Sequence, residues 1–300
     1  MPFLLSARPL RCAVSILLLA LAVPSLAFAS MRGPEARDYG KFAAFDSEAT
    51  AKPNYTPMDQ FLQAFAERRG VRTRLTYDRM GVEGLAVLKK YMMYLEQVPV
   101  TRLARVHQLA YWLNLHNWMV IEGLLEREVG RKIDDERGTP DEPGGLWTLK
   151  RVVVEGVLIS IRDIEEKIVF AHWDDPLVLY GLYQGAWGGP GLNPTAFDGD
   201  TVFLELETLG RAFVASKDHV KPSGRTLRVA EFYDWFKDEA FGGDDKRLIA
   251  HVKSLAPPKR AEDFAEVSRL RIIDFDYAKD QLILKKPQLG RRGGIPRAPR

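Results

Sequence analysis

Residues 101–129 read as one long helix whose apolar side chains leave no solvent face. Leu103, Val106, Leu109, Ala110, Leu113, Trp118, Val120, Ile121 and Leu124 recur at helical spacing and surround most of the cylinder. A helix of this kind fits only where other elements cover it on nearly all sides, at the centre of a core. The same helix carries two amides in its middle, Asn114 and Asn117. An unpaired buried amide costs roughly 1–3 kcal/mol, so both need partners, and an irregular backbone is the natural supplier. The glycine-rich segment 182–192 is the expected one.

The elements around that helix are short. Thr56-Pro57-Met58-Asp59 opens a helix, with Thr as the cap, Pro in the first turn and an acid beside it. That helix is expected to run to about Arg69, ended by Gly70. Residues 75–78 suit a strand and 81–97 a second helix. Residues 149–160 read as a hairpin turning at Glu155-Gly156, after which Ser160 and Asp163 cap a helix to about residue 170. A helix follows Asp200, a second hairpin turns at 222–224, helices follow at 230–236 and 244–255, and a strand at 270–275. The acidic stretch 132–145 lacks the ligand spacing of a calcium loop and reads as a solvated loop. The expected fold is α+β: a helix-rich domain with a long central buried helix and a small, mostly antiparallel β-sheet.

The ends have a different character. Arg8 and Arg11, the apolar run 12–23 and Ala27-Phe28-Ala29 form the pattern of a secretory signal peptide. Residues 30–55 read as a loosely ordered leader, 56–284 as a single globular domain, and 285–300 as a basic disordered tail. Export, to a periplasmic or secreted location, is therefore expected, with cleavage after Ala29. The only cysteine is Cys12, so residues 30–300 offer no disulfide, no thiolate and no cysteine-held metal. The chain carries a net charge of +3; two positive charges lie in 1–29 and six in 285–300, which leaves −5 on residues 30–284. That balance gives no reason to expect nucleic acid as a partner. The charge of the tail suits contact with an anionic surface.

Several motifs, in order, resemble a known family. Ala110-Tyr-Trp-Leu-Asn-Leu-His-Asn117 is similar to the A-F-W-I-N-x-Y-N motif of the family called domain of unknown function 547. Gly156 to Glu165 resembles its G-x-x-L-S-L-D-D-I-E, Asp175-Pro176 its lead into the glycine-rich turn, and Phe232 to Asp238 with Phe241-Gly-Gly243 its F-x-W-Y-x-x-D-F-G. Ile272 to Leu282 echoes its last strand, so the family-like core spans 103–284. At the turn, members typically read H-F-A-L-N-C-G-A-x-S-C-P-P-L. Here Leu179 replaces the histidine, Tyr183 the asparagine, Gln184 the first cysteine and Gly189 the second. Glu166 and Glu122 stand where relatives carry histidines. If the family is thiol-dependent, as a papain-like cysteine-hydrolase relationship implies, this chain lacks both nucleophile and base.

Two functional readings follow. The first is a non-thiol binding or scaffold protein of the cell envelope, its pocket lined by Trp112, Asn114, Asn117, Tyr183, Gln184 and Trp187. Aromatic rings on a glycine-rich turn suit an envelope polymer, a peptide or a protein. The second is an envelope hydrolase using carboxylates as general acid and base, with Glu122, Asp163, Glu165 and Glu166 as candidates. No cofactor and no metal are expected. His107 and His116 are nine residues apart, about 180° around a helix, and so do not face one site.

Overall fold

The computed structural model describes residues 39–282. The expected signal peptide, the first part of the leader and the basic tail lie outside the described residues. The helices are α1 (Thr56–Phe65), α2 (Tyr77–Leu95), α3 (Arg105–Glu126), α4 (Asp134–Arg137), α5 (Gly145–Thr148), α6 (Ile161–Asp163), α7 (Phe170–His172), α8 (Val202–Ala215), α9 (Phe232–Trp235), α10 (Lys237–Phe241), α11 (Asp245–Leu255) and α12 (Ala261–Ala265). The strands are β1 (Ala66–Arg69), β2 (Arg72–Leu75), β3 (Val152–Val154), β4 (Val157–Ile159), β5 (Val220–Ser223), β6 (Thr226–Ala230) and β7 (Arg269–Ile273). Among the described residues no helix is long and apolar enough to cross a membrane.

The fold is α+β, and α3 is its axis: every residue from His107 to Leu124 is buried. Large side chains fix its neighbours. The indole N–H of Trp118 donates to the Leu88 carbonyl at 2.8 Å, and the Tyr111 hydroxyl donates to that of Leu95 at 2.8 Å, which pins α2 along it. Trp112 packs edge-on against Phe42, with ring centroids 4.8 Å apart. Part of the stretch read as a leader thus joins the core, since Phe42 is fully buried.

The strands form three separate small sheets instead of one. β1–β2 and β3–β4 are antiparallel pairs; β5–β6–β7 is three-stranded, with β6 and β7 parallel. The hairpin at Glu155-Gly156 and the Ser160–Asp163 capping box stand as the sequence predicts. The first helix stops at Phe65, four residues short of the expected end. The Phe65 carbonyl accepts from both the backbone N–H and the hydroxyl of Thr76, each at 2.9 Å, and residues 66–69 pair with β2. The strand expected at 75–78 lies instead at Arg72–Leu75, and Tyr77 already belongs to α2. Beyond α6 the helix widens into a π turn over Ile164–Val169, which carries Glu165 inward; such widened turns are often found where a helix presents a special side chain.

The two amides of α3 are both engaged, with different segments. Asn117 Oδ1 accepts from the Tyr183 backbone N–H at 3.0 Å, on the glycine-rich turn as expected. Asn114 holds the next loop, donating to the Phe197 carbonyl at 2.9 Å and accepting from the Phe197 N–H at 2.8 Å. Replacing Asn114 with alanine leaves both Phe197 groups unpaired in the core. A loss of roughly 2–4 kcal/mol is expected, measurable as a lowered urea midpoint.

Candidate functional site

The glycine-rich turn is set between α3 and the segment 276–282. The Trp187 N–H donates to the Ala278 carbonyl at 2.7 Å, the Gly188 N–H to Asp276 at 2.8 Å, and the Asp280 N–H to the Gly185 carbonyl at 2.8 Å. Glycine is required at this contact. A Cβ on Gly188 would lie 2.6 Å from the Asp276 nitrogen, and Gly185 has φ +68° with Leu124 just behind it. Arg72 of β2 closes the assembly. Its guanidinium donates to the carbonyls of Gly189 at 2.8 Å and Ala186 at 3.0 Å, and to Asp280 at 2.9 Å. Asp280 is fully buried and also accepts from Arg74 at 3.1 Å.

Beneath the turn lies a buried polar network. Gln184, at the position of the family's first cysteine, is completely enclosed. Its amide oxygen accepts from Arg137 Nε at 2.5 Å, and its amide nitrogen donates to Glu165 at 2.9 Å. The same Glu165 oxygen meets His116 Nε2 at 3.0 Å and the Trp147 indole N–H at 3.2 Å. His116 Nδ1 faces Asn117 Oδ1 at 2.8 Å. Both ring nitrogens therefore meet side-chain oxygens. Arg137 lies between two indoles, 4.8 Å from the Trp147 ring and 4.6 Å from that of Trp235. Burial alone would raise the Glu165 carboxyl, but Arg137, His116 and Gln184 outweigh it and hold it at about 2. The network is a closed ion cluster with an amide at its centre, and it holds no thiol or hydroxyl.

Of the six residues read as a ligand pocket, Trp112, Asn114, Asn117, Tyr183 and Gln184 are buried, and all but Trp112 bond other parts of the chain through their polar groups. Trp187 alone among them borders open space. It lines a cavity of about 290 Å³ together with Arg72, Gly191, Phe213, Ser216 and His219. Its ring receives Arg72 at 4.7 Å and Arg74 at 5.1 Å. His219 stacks on Phe213 at 4.3 Å and donates from Nε2 to the Trp187 carbonyl at 2.8 Å.

The four candidate acids fall in different surroundings. Glu122 pairs with Arg151, and Asp163 sits in its capping box with Lys150 at 2.7 Å. Burial pushes the Asp163 carboxyl up, but Lys150 and Ser160 more than reverse this. Glu165 belongs to the enclosed network. Glu166 is bound to Arg162 at 2.6 Å and lines an open cleft of about 660 Å³ with Glu231, Asp234, Trp235, Asp238 and Glu239. Arg137 had no sequence signal, because it stands in the stretch that reads as solvated acidic loop. Arg72 and Asp280 had none either, being 208 residues apart.

Two histidines make stability depend on pH. Burial lowers His219, helped by Arg72, and lowers His251, each to about 4 from an ordinary 6.5. The unfolded chain therefore takes up protons below about 6.5 while the folded chain does not until about 4. Stability is full above the upper value and falls between the two, by up to roughly 1.4 kcal/mol per pH unit for each histidine. The urea midpoint should drop from pH 7 to pH 5, and His251→Phe should shrink that drop. Arg137→Met, which strands Glu165, should cost roughly 3–5 kcal/mol at pH 7.

None of the curated proteins and none of the solved structures compared with the chain matches it. Residues 100–214 match the model of a family described as "Protein of unknown function, DUF547". The match runs from just before α3 to the last turn of α8, and so includes Asn114, Asn117, Glu165 and the whole glycine-rich turn. The chain contains a domain of the DUF547 family over residues 100–214.

Proposed function

We propose that this is an exported protein of the cell envelope whose DUF547 domain binds a ligand instead of cleaving one, and that the ligand sits beside Trp187. The observation that carries this reading is the division of labour on the glycine-rich turn. Gln184 is enclosed with both ends of its amide engaged, while Trp187, three residues on, borders the open cavity. Residues 30–300 contain no cysteine, and the turn from 184 to 192 contains no serine or threonine, so covalent acyl transfer has no attacking atom there. An indole edge, the Phe213 ring and the polar groups of Ser216 and His219 suit a ligand with both apolar faces and hydrogen-bonding groups, such as a sugar polymer or a peptide.

A second reading rests on the cleft at Glu166. Burial raises the Glu239 carboxyl, and the charges of Asp238 and Glu166 add to the rise. A raised acid near a second carboxylate and an indole, Trp235, is the arrangement a carboxylate hydrolase of polysaccharide uses.

The binding reading is tested by screening purified protein against soluble peptidoglycan fragments, oligosaccharides and short peptides. Trp187→Ala should weaken any binder by about 2 kcal/mol, roughly thirtyfold in Kd, while Leu204→Ala on the exposed face of α8 should not. Unchanged affinity in Trp187→Ala sinks the site. Turnover of any of these compounds that disappears in Glu166→Gln and Glu239→Gln would establish the hydrolase instead. Export is tested separately: the protein recovered outside the cytoplasm should begin at Ser30, and a chain that keeps residues 1–29 in the cytoplasm would refute it.

A further inference from the structure

We propose that His107, Asp198 and Asp200 form a binding site for a divalent transition-metal ion, with zinc(II) as the best chemical match. One ligand atom from each residue can be chosen so that all three lie within 4.8 Å of one another. His107 Nε2 is 3.6 Å from Asp200 Oδ1, too long for a hydrogen bond and close to the edge between two ligands of a tetrahedral ion.

His107 is the second observation. It is 7% exposed, its Nδ1 has no hydrogen-bond partner, and its Nε2 points at Asp200. The imidazole makes no hydrogen bond, and an ion on Nε2 would give that nitrogen its one close partner. The loop is shaped to the ring. A Cβ on Gly199 would lie 2.1 Å from His107 Nδ1, so only glycine lets the backbone press there and set Asp198 and Asp200 on either side. Asn114, two turns further along α3, holds Phe197 just before that loop.

The carboxylates already attract a cation. Lys52 Nζ lies 3.1 Å from Asp198 and 2.8 Å from Asp200. A divalent ion would take an oxygen from each of these carboxylates, add the imidazole nitrogen as a third ligand, and compete with the singly charged ammonium for them. One imidazole and two carboxylates suit zinc better than the all-oxygen shells of calcium or magnesium, and three protein ligands leave a fourth position for water. Asp200 is largely exposed, so the ion enters directly from solvent.

The test uses metal-free full-length protein and two probes, zinc(II) by calorimetry and cobalt(II) by its ligand-field bands. One equivalent of each should bind, with cobalt bands of a low-coordinate nitrogen–oxygen site. His107→Gln and Asp200→Asn should each weaken binding by at least about tenfold, the loss expected even for an outer-shell partner. Lys52→Ala should tighten it, because the competing ammonium is gone. His172→Gln should leave it unchanged. Asp200 is exposed, so its variant guards against a His107→Gln protein that fails to fold. The proposal is overturned if neither metal binds, if both variants bind as the parent does, or if Lys52→Ala weakens binding.

Discussion

Polar groups inside the apolar helix α3 organise the rest of the molecule. A helix buried from His107 to Leu124 cannot leave Asn114, His116 and Asn117 to water, so each must be met by backbone or by another side chain. Asn117 fixes the start of the glycine-rich turn, Asn114 fixes the loop at Phe197, and His116 reaches Glu165. Two irregular segments, which have no regular ladder of their own, are thereby held against one rigid element. This is why residues 182–200 keep a defined shape with almost no secondary structure.

The outer side of the turn has a comparable anchor in Arg72. A single guanidinium takes two turn carbonyls and the buried Asp280, and so ties β2, the turn and the last described segment together. Arg137 does the same beneath the turn with Gln184 and Glu165 close to it. The site is thus braced from both sides by arginine, whose fixed fork of donors suits several acceptors at once. The chemistry at residue 184 follows from this bracing. A glutamine has a donor and an acceptor at its end and can bridge Arg137 to Glu165; a residue with one polar atom would leave one of them short.

Much of the fold was legible in the sequence because its signals are local. The all-round apolar pattern marked α3, Ser160 and Asp163 marked the capped helix, and Glu155-Gly156 marked the hairpin. The errors arose where a distant partner decided the outcome. Residues 66–69 continue a helical pattern but became a strand once Thr76 captured the Phe65 carbonyl and β2 supplied an edge. Arg137 looked solvated because its neighbours are acidic, yet two indoles and a carboxylate drawn from other elements enclose it. Which side chain of the turn faces inward could not be read from a glycine-rich string with no periodicity.

The sequence by itself determined the central helix, the need of its amides for loop partners, the family resemblance and the absence of a thiol from residues 30–300. These depend on residue identity and short-range spacing. Tertiary structure alone decided that Gln184 is sealed and Trp187 is open, that His116 meets Glu165, and that His107 meets Asp198 and Asp200. His116 and Glu165 lie 49 residues apart in the chain, and a crossing of this length leaves no periodic trace in the sequence.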